Sequence, residues 1–583
     1  MTCPNGIWYH RRVEKLGWID GGVIVVYLAL VTWLGLRMGR GVTRSAEFFM
    51  PRKFGKGKMI MHAFGTGTAS DQAVSVASAT FQQGLSGIWY QWLWLFSTPF
   101  YWIIAPIMRR FRATTTADVL ELRYNRSVAM LFAVVGIASM SVKIGVMLKG
   151  AGALVESGTG GLINAPVAIA VVTLLFVVYG MVGGLGAAVV TDFIQGILTI
   201  VFSFLLLPFV LQAVGGLTGM RSSIAEGITD RDMLSLVAPG EVGAFFIIML
   251  SIQALVGIVA FPSAMGNCAA GKTEMEGRVG FMCGTFIKRV CTIAWCLTAI
   301  SAVAWYLDSG VDLAGVKPDN VYGDVARAFL PEVMPGLLGI FIATLLAAVM
   351  SSCDSFMIAA SGLFTENLYR PLSKGREPGH YIQVGRLAAL VIVLIGVGFA
   401  FYLEDVVKGL KIWFKITPMM GMAFWLGLFW RRMTTAGAWA STLAGFGTWW
   451  LLSQSWVVDR IAGWPGADSL RFLWEGKVYE PWVILAYLTA GVGIGMAVSL
   501  VTRPGPKERL DRYYALTRTP VRVGETVETP CTLPAGTPPA ERALLFAKGG
   551  FEIPRPSKTA WLGFGAGWLG IIILIGGFVW LVS

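Results

Sequence analysis

The feature that most constrains this chain is a series of long apolar stretches recurring from residue 18 to residue 581. A helix needs about 20 mostly apolar residues to cross the hydrocarbon core of a bilayer, and about fourteen segments meet that length. They fall at 18–36, 59–83, 88–108, 127–155, 163–182, 188–214, 243–265, 279–306, 333–368, 383–404, 408–430, 435–453, 480–501 and 560–581. Lipid offers the backbone no hydrogen-bond partner, so spans of this kind are helices. The expected fold class is an all-α polytopic membrane protein with about 14 transmembrane helices. The low charged fraction, 14%, and the mean hydropathy of +0.66 agree, because soluble domains carry about a quarter charged residues.

A net charge of +13 would suit a nucleic-acid partner. The basic residues, however, sit between apolar segments rather than on one compact domain, which argues for no nucleic acid. Their distribution orients the chain instead, since Lys and Arg accumulate in cytoplasmic loops. One set of alternate loops holds Arg37, Arg40, Arg44, Arg52, Lys53, Lys56 and Lys58, then Arg109, Arg110, Arg112, Arg123 and Arg126. Lys272, Arg278, Arg370, Lys374, Arg376, Arg386, Arg431 and Arg432 extend it, as does the polar segment 502–559. The opposite set is poorer, although Arg11, Arg12 and Lys15 run against the trend. Both termini are therefore expected outside. The segment 502–559 reads as a cytoplasmic loop, with an amphipathic stretch at Ala540–Lys548 that suits the membrane surface.

Cys268, Cys283, Cys291, Cys296 and Cys353 lie in or beside apolar stretches, with Cys3 and Cys531 isolated, so buried thiols are expected rather than a disulfide framework. His10, His62 and His380 are too scattered for a zinc site. The first 17 residues are too polar for the apolar core of a signal peptide, so the first span is expected to be retained.

Irregular backbone persists at membrane depth only where protein buries it or where it lines a cavity. Two segments carry the composition for it: Gly65-Thr66-Gly67-Thr68-Ala69-Ser70-Asp71-Gln72 in the second span and Phe261-Pro262-Ser263-Ala264-Met265-Gly266 in the seventh. They are five spans apart, as matching members of two five-helix repeats would be, and paired interruptions mark solute and ion sites in transporters. Close helix packing is the other use of such residues.

The ninth span contains Ala347-Ala348-Val349-Met350-Ser351-Ser352-Cys353-Asp354-Ser355. Neutral hydroxyls and backbone carbonyls hold a sodium ion without trapping it; the alternative for Ser351 and Ser352 is a bond to the preceding turn. Asp354 is harder to place, since a carboxylate at a helix centre costs roughly 2.5–3.5 kcal/mol. Asp192 lies near the start of the sixth span. Lys288 and Lys415 sit within or near spans, where each either snorkels to an interface or faces a polar cavity; Lys288, about ten residues inside, suits the cavity better. Gly266-Asn267-Cys268-Ala269-Ala270-Gly271-Lys272-Thr273 spells a P-loop. It follows an apolar span rather than a buried strand, so no ATP site is expected.

Five strings follow in order along the chain. Ala46-Glu47-Phe48-Phe49-Met50 carries an acidic-Phe-Phe pattern, and Thr115-Thr116-Ala117-Asp118-Val119-Leu120-Glu121-Leu122-Arg123-Tyr124-Asn125 is similar to T-x-x-E-F-L-E-x-R-F-N, with Asp118, Val119 and Tyr124 in place of E, F and F. Tyr179-Gly180 to Gly183-Gly184, with Thr191-Asp192 to Gln195, looks like Y-G-G-L…W-T-D-x-x-Q. Ala348 to Ser352, with Asn367-Leu368-Tyr369, looks like A-A-x-x-S-S…D-x-Y. Gly427-Leu428-Phe429-Trp430-Arg431, with Thr434, Gly437 and Ala438, looks like G-L-F-W-K-R…T-x-x-G-A. Over roughly residues 18–500 the chain thereby resembles the sodium:solute symporter family, whose members include galactose, sialic acid and proline carriers.

The resemblance implies a LeuT-like five-plus-five inverted repeat with flanking helices, working by sodium-driven alternating access in a bacterial inner membrane. It implies a sodium site of the Gly65, Thr68 and Ala348 carbonyls with the Ser351 and Ser352 hydroxyls, and, as in some members, a second from Asp192, Asp354 and Ser355. Gln72 and Lys288 match solute-contacting positions of the sugar carriers, Gln91 (beside Trp92) aligns with a sugar-binding glutamate, and Phe261-Pro262-Ser263 replaces Asn-Gln-Tyr. These departures weaken a hexose reading. The expected divisions are 1–45 (extra helix and link), 46–432 (transport core), 433–501 (peripheral helices), 502–559 (cytoplasmic loop) and 560–583 (final helix). The expected function is sodium-coupled uptake of a small polar organic solute, a sugar being one candidate, with no cofactor beyond Na+ and no enzymatic activity. Its partners would be Na+, the solute and the bilayer. Proton- or sodium-coupled uptake of a carboxylate or amino acid is an alternative, as is a transporter-like membrane sensor.

Overall fold

The computed structural model describes residues 16–38, 50–66, 68, 70–238, 242–373, 375–467, 469–527, 529–541, 543–546 and 548–583. Side chains at 34–36, 38, 70, 179, 182–192, 194 and 378 are outside that description, so the expected role of Asp192 is outside it too. So are Ala46, Glu47, Phe48 and Phe49, the N-terminal Arg11, Arg12 and Lys15, and Lys374.

Among the described residues the fold is helical apart from two short hairpins, β1 (Leu473–Trp474) with β2 (Lys477–Val478) and β3 (Leu544–Phe546) with β4 (Ile553–Pro554). The helices begin with α1 (Trp18–Met38), α2 (Lys56–Gly65), α3 (Ser70–Gln83), α4 (Trp89–Trp92), α5 (Thr98–Arg110), α6 (Thr116–Arg123) and α7 (Arg126–Gly158). Next come α8 (Ala165–Ala213), α9 (Gly216–Gly227), α10 (Ala244–Ile258), α11 (Pro262–Ala269), α12 (Glu274–Asp308) and α13 (Val321–Val333). Then follow α14 (Leu337–Gly362), α15 (Pro378–Tyr402), α16 (Val406–Phe429), α17 (Thr435–Leu452), α18 (Ser455–Ala462), α19 (Glu480–Val501), α20 (Lys507–Arg518) and α21 (Lys558–Val582).

Among the described residues eight helices are long and apolar enough to cross a bilayer, or nine if α10 and α11 form one bent span. Part of the difference from fourteen has local causes. The expected span 59–83 is divided between α2 and α3. The expected span 88–108 is a 3-10 turn, Gly84–Ile88, then the single turn α4 and only later a regular helix, α5. Gly84 sets this irregularity: its φ of +67° is left-handed, and a Cβ there would meet the Met233 carbonyl at 2.1 Å. The expected spans 163–182 and 188–214 are the two apolar ends of one 49-residue helix, α8. A helix of that length runs about 74 Å, over twice the hydrocarbon thickness. Hydropathy separated its ends at the glycines of 183–186, but no proline there forces a break.

Contacts between connections sort them into two faces. On one face Arg52 donates to the Arg112 and Ala113 carbonyls at 3.0 and 2.7 Å, and the Lys272 N–H to the Phe54 carbonyl at 3.0 Å. Arg110 pairs with Glu274 at 2.8 Å, Asn367 donates to Asp118 at 2.9 Å, and Arg123 to the Gly427 and Trp430 carbonyls at 2.7 and 2.8 Å. These are the Arg-rich connections that the sequence groups together. On the other face Trp89 reaches the Leu236 carbonyl at 2.8 Å, and Asp319 the Val406 N–H at 3.0 Å.

The segment after α19 is docked on the Arg-rich face. Its helix α20 buries Tyr513, Tyr514 and Leu516, the Tyr514 hydroxyl donates to the Gly427 carbonyl at 3.0 Å, and Glu525 meets the buried Arg112 at 2.5 Å. Arg509 donates to the Tyr124 carbonyl and Arg431 pairs with Glu552 at 2.7 Å. Within the amphipathic stretch Ala540–Lys548, Leu544–Phe546 is strand β3, whose pairing with Ile553–Pro554 satisfies its backbone groups.

Candidate functional site

Both expected interruptions are present, and each has a local cause. α2 ends at Gly65; Thr66 leaves helical geometry at ψ 103° while its N–H still bonds the His62 carbonyl at 2.7 Å. Thr68 N–H turns back to the Gly65 carbonyl at 2.9 Å, and α3 starts with Asp71 in its first turn, where a negative charge complements the helix dipole. In the second interruption α10 stops at Ile258 and α11 leaves at 69°. The unwound part is 259–261, a turn earlier than the sequence suggested. Pro262 opens α11 rather than closing α10, because its missing N–H is harmless in a first turn.

Across the first break α14 brings the Ser352 hydroxyl, which donates to the Gly65 carbonyl at 2.8 Å. That carbonyl therefore accepts two protein hydrogen bonds and both its lone pairs are engaged. The Thr68 hydroxyl donates to the Phe64 carbonyl. Ala348, Ser351 and Ser352 are all buried, with Ala348 one turn before Ser352 on the same helix face. Gly65, Thr68 and Ser352 thus meet directly, with Ala348 and Ser351 on the adjoining turn. The set consists of neutral oxygens, the donor type a weakly held alkali ion takes.

Beside the break lies a cavity with an empty volume of about 630 Å³. Gln72, Gln91, Ser263 and Lys288 line it as expected; Trp92 does not. In the one-turn helix α4 neighbouring residues point about 100° apart. While Gln91 faces the cavity, the Trp92 indole N–H donates to the Arg289 carbonyl at 3.2 Å and its ring packs on Phe578. Trp94 takes the lining role instead, with Phe261, Phe356 and Trp413. A second cavity of about 520 Å³, reaching Met50, Thr114 and Thr115 on the Arg-rich side, shares Thr66 and Ser263 with the first. Thr66 at the first break and Ser263 in the first turn of α11 therefore border both cavities.

Three cationic side chains line the central cavity, of which the sequence singled out one. Lys143 on α7 lies 2.6 Å from Asp71, with both side chains buried, and 4.6 Å from the centre of the Trp413 ring. Lys288 donates to the Thr66 carbonyl at 3.2 Å. Arg289 donates one N–H to the Gln91 carbonyl; its Nε is buried with no hydrogen-bond partner, and among the described residues no acid pairs with it. The signal that would have found Lys143 and Arg289 is simply an ionisable residue deep inside a span, each such charge costing roughly 2.5–3.5 kcal/mol at a helix centre. Lys415, by contrast, pairs with Glu480 at 2.9 Å, at the start of α19.

Of the expected second ion site, Asp354 and Ser355 are buried on α14. Asp354 faces Gly180 so closely that a Cβ on that glycine would meet a carboxylate oxygen at 1.9 Å. Along α8 the backbone of Asp192 is twelve residues past Gly180 (192 − 180), roughly 18 Å at 1.5 Å per residue. The P-loop-like string closes α11 and supplies Thr273, which caps α12 through Glu276.

The chain matches the model of the sodium:solute symporter family over residues 48–445. It is 24% identical over 468 residues to a sodium/glucose cotransporter of Vibrio parahaemolyticus, spanning 73% of this chain and 83% of that protein. A sodium/pantothenate symporter of Haemophilus influenzae is 25% identical over 454 residues, spanning 74% of this chain and 90% of the relative. Among solved structures, the substrate-bound outward-open state of a Na+-coupled sialic acid symporter aligns with TM-score 0.66 and 17% identity, over 85% of this chain and 100% of that one. At that identity the likeness is one of fold.

Proposed function

This chain belongs to the sodium:solute symporter family, and we propose that it imports a small polar organic solute by alternating access around its two broken helices. It is a membrane transporter with a LeuT-like fold and not an enzyme, and Na+ is its coupling ion. The observation that carries the proposal is the Ser352 hydroxyl on the Gly65 carbonyl, 2.8 Å across the break and next to the cavity. In the proposed cycle Na+ takes the place of that hydrogen bond, coordinated by the Gly65, Thr68 and Ala348 carbonyls and the Ser351 and Ser352 hydroxyls. The solute occupies the cavity lined by Gln72, Gln91, Ser263 and Lys288. Filling both sites clamps α14 to the break, and the shared border at Thr66 and Ser263 then opens toward the Arg-rich face.

The finer architecture of this reading is a five-plus-five inverted repeat within 46–432, in which α2/α3 corresponds to α10/α11. The helices at 433–501 and 560–583 flank it. The Arg-rich face is cytoplasmic, which puts both termini outside a bacterial inner membrane. A second sodium ion at Asp354 and Ser355, with Asp192, belongs to the same reading. The relatives named for glucose and pantothenate do not agree on a solute. Uptake by proteoliposomes, screened over solutes with an inward sodium or an inward proton gradient, tests the proposal. Uptake driven by sodium supports it, and uptake that follows protons and ignores sodium refutes it.

A further inference from the structure

We infer that the central cavity selects an organic anion, a carboxylate with an apolar body; this rests on the solute-site reading above. Asp71 and Lys143 cancel each other at 2.6 Å. Arg289 adds a cation that no acid among the described residues offsets. It is 3% exposed, lines the cavity, and has a buried Nε with no acceptor. The Gln91 carbonyl engages one Nη, and a neutral amide would serve that contact as well as a guanidinium does. The remaining N–H groups form the fork that matches a carboxylate in a two-point contact. A polyol would leave that positive charge desolvated and unneutralised, whereas a carboxylate neutralises it.

The rest of the lining fits the other parts of such a solute. Lys288, anchored on the Thr66 carbonyl, adds to the positive potential on the same helix. Asn267 presents a buried Oδ1 that accepts no hydrogen bond, a place for a hydroxyl or amide N–H on the solute. Aromatic rings line the same cavity: Phe261 meets Trp413 edge-on at 5.0 Å and Trp94 at 6.3 Å. They suit an aliphatic or aromatic body. One Na+ moving with one monocarboxylate carries no net charge, so transport of such a solute with a single ion is electroneutral.

The test is thermal stabilisation of the purified full chain by paired probes: propionate, hexanoate, benzoate and phenylacetate, each against its neutral amide, with glucose and galactose, in sodium chloride and in choline chloride. At least one carboxylate should stabilise the chain while its amide does not. In Arg289→Gln, which retains a donor for the Gln91 carbonyl, that carboxylate should bind roughly 10–150-fold more weakly, with Arg289→Lys in between. The inference is overturned if no carboxylate exceeds its amide, if a hexose is the best ligand, or if Arg289→Gln keeps the preference. Should Arg289→Gln fail to fold, the wild-type preference and Arg289→Lys decide the matter. A carboxylate preference that is the same in choline keeps the anion inference and removes sodium coupling, whereas sodium-dependent binding of a neutral probe does the reverse.

Discussion

Lys143 Nζ lies 2.6 Å from the Asp71 carboxylate, joining the middle of α7 to the first turn of α3 just beyond the helix break. Two turns further along α7, Gly150 approaches the same residue so closely that a Cβ would lie 2.7 Å from the Asp71 Cα. The pair thus fixes where α3 resumes. Removing one partner of a buried pair strands the other charge and costs about 3–5 kcal/mol, whereas removing both often costs little. Asp71→Asn and Lys143→Met should each lower the unfolding temperature in detergent more than the double variant does. Losses that simply add would show that the two charges act independently.

Ser352→Ala removes the hydroxyl from the Gly65 carbonyl, and Ser351→Ala its neighbour. One lost ligand is worth about 1–3 kcal/mol, roughly a 5–150-fold change in affinity. Each variant should raise the sodium concentration for half-maximal uptake by that order. Solute affinity at saturating sodium should change less; a larger effect on the solute would move these serines out of the ion site.

Arg52 and Arg112 share a face with the docked segment, and Asn320 stands by the opposite one, next to Asp319 and its bond to Val406. Single cysteines introduced beside Arg52 and Arg112 should be shielded from an impermeant thiol reagent in intact cells, and one beside Asn320 should react. The reverse pattern would invert the orientation.

Asp354 packs its carboxylate on Gly180, a contact any side chain at 180 would disrupt. If it seats a second ion, the ratio of charge to solute flux in proteoliposomes corresponds to two sodium ions per solute and drops to one in Asp354→Ala. A wild-type ratio of one would reduce Asp354 to a helix-packing or gating acid.

Asp324, outside the spans, is pushed up to about 6, chiefly by burial, with Arg327 at 3.4 Å and the Tyr306 hydroxyl pulling the other way. From a reference value of 3.8 to about 6 the folded chain therefore holds a proton that the unfolded chain has released. Linkage makes the fold more stable at the acid end of that window and less stable as pH rises through it. The unfolding temperature should decline between pH 4 and 7, and Asp324→Asn should flatten that decline.

The helix breaks were legible because Gly65 and Pro262 act locally, and Ser352 because paired hydroxyls and an acid stand out in an apolar span. Two things were hidden. Asp71 and Lys143 are 72 residues apart and meet only through the packing of α3 on α7. The one-turn geometry of α4 decides that Gln91 and not Trp92 faces the cavity, and that geometry depends on Gly84 pressed against Met233, a residue from a distant connection. Arg289 could have been noticed as an ionisable residue at membrane depth, but its lack of an acidic partner is visible only once its neighbours are in place.

The docking of α20 and Glu525 also sets an order of assembly. Synthesis proceeds from the N-terminus, and the arginine that Glu525 neutralises, Arg112, is made 413 residues earlier. At about 5–20 residues per second that is an interval of roughly 20–80 s. Throughout it the Arg112 guanidinium must be hydrated or rest against lipid phosphate, and the Tyr124 and Gly427 carbonyls await Arg509 and Tyr514. The last-made polar stretch thus closes a face built by its predecessors, and a nascent chain halted before residue 509 has the spans through α19 but neither their clasp nor α21.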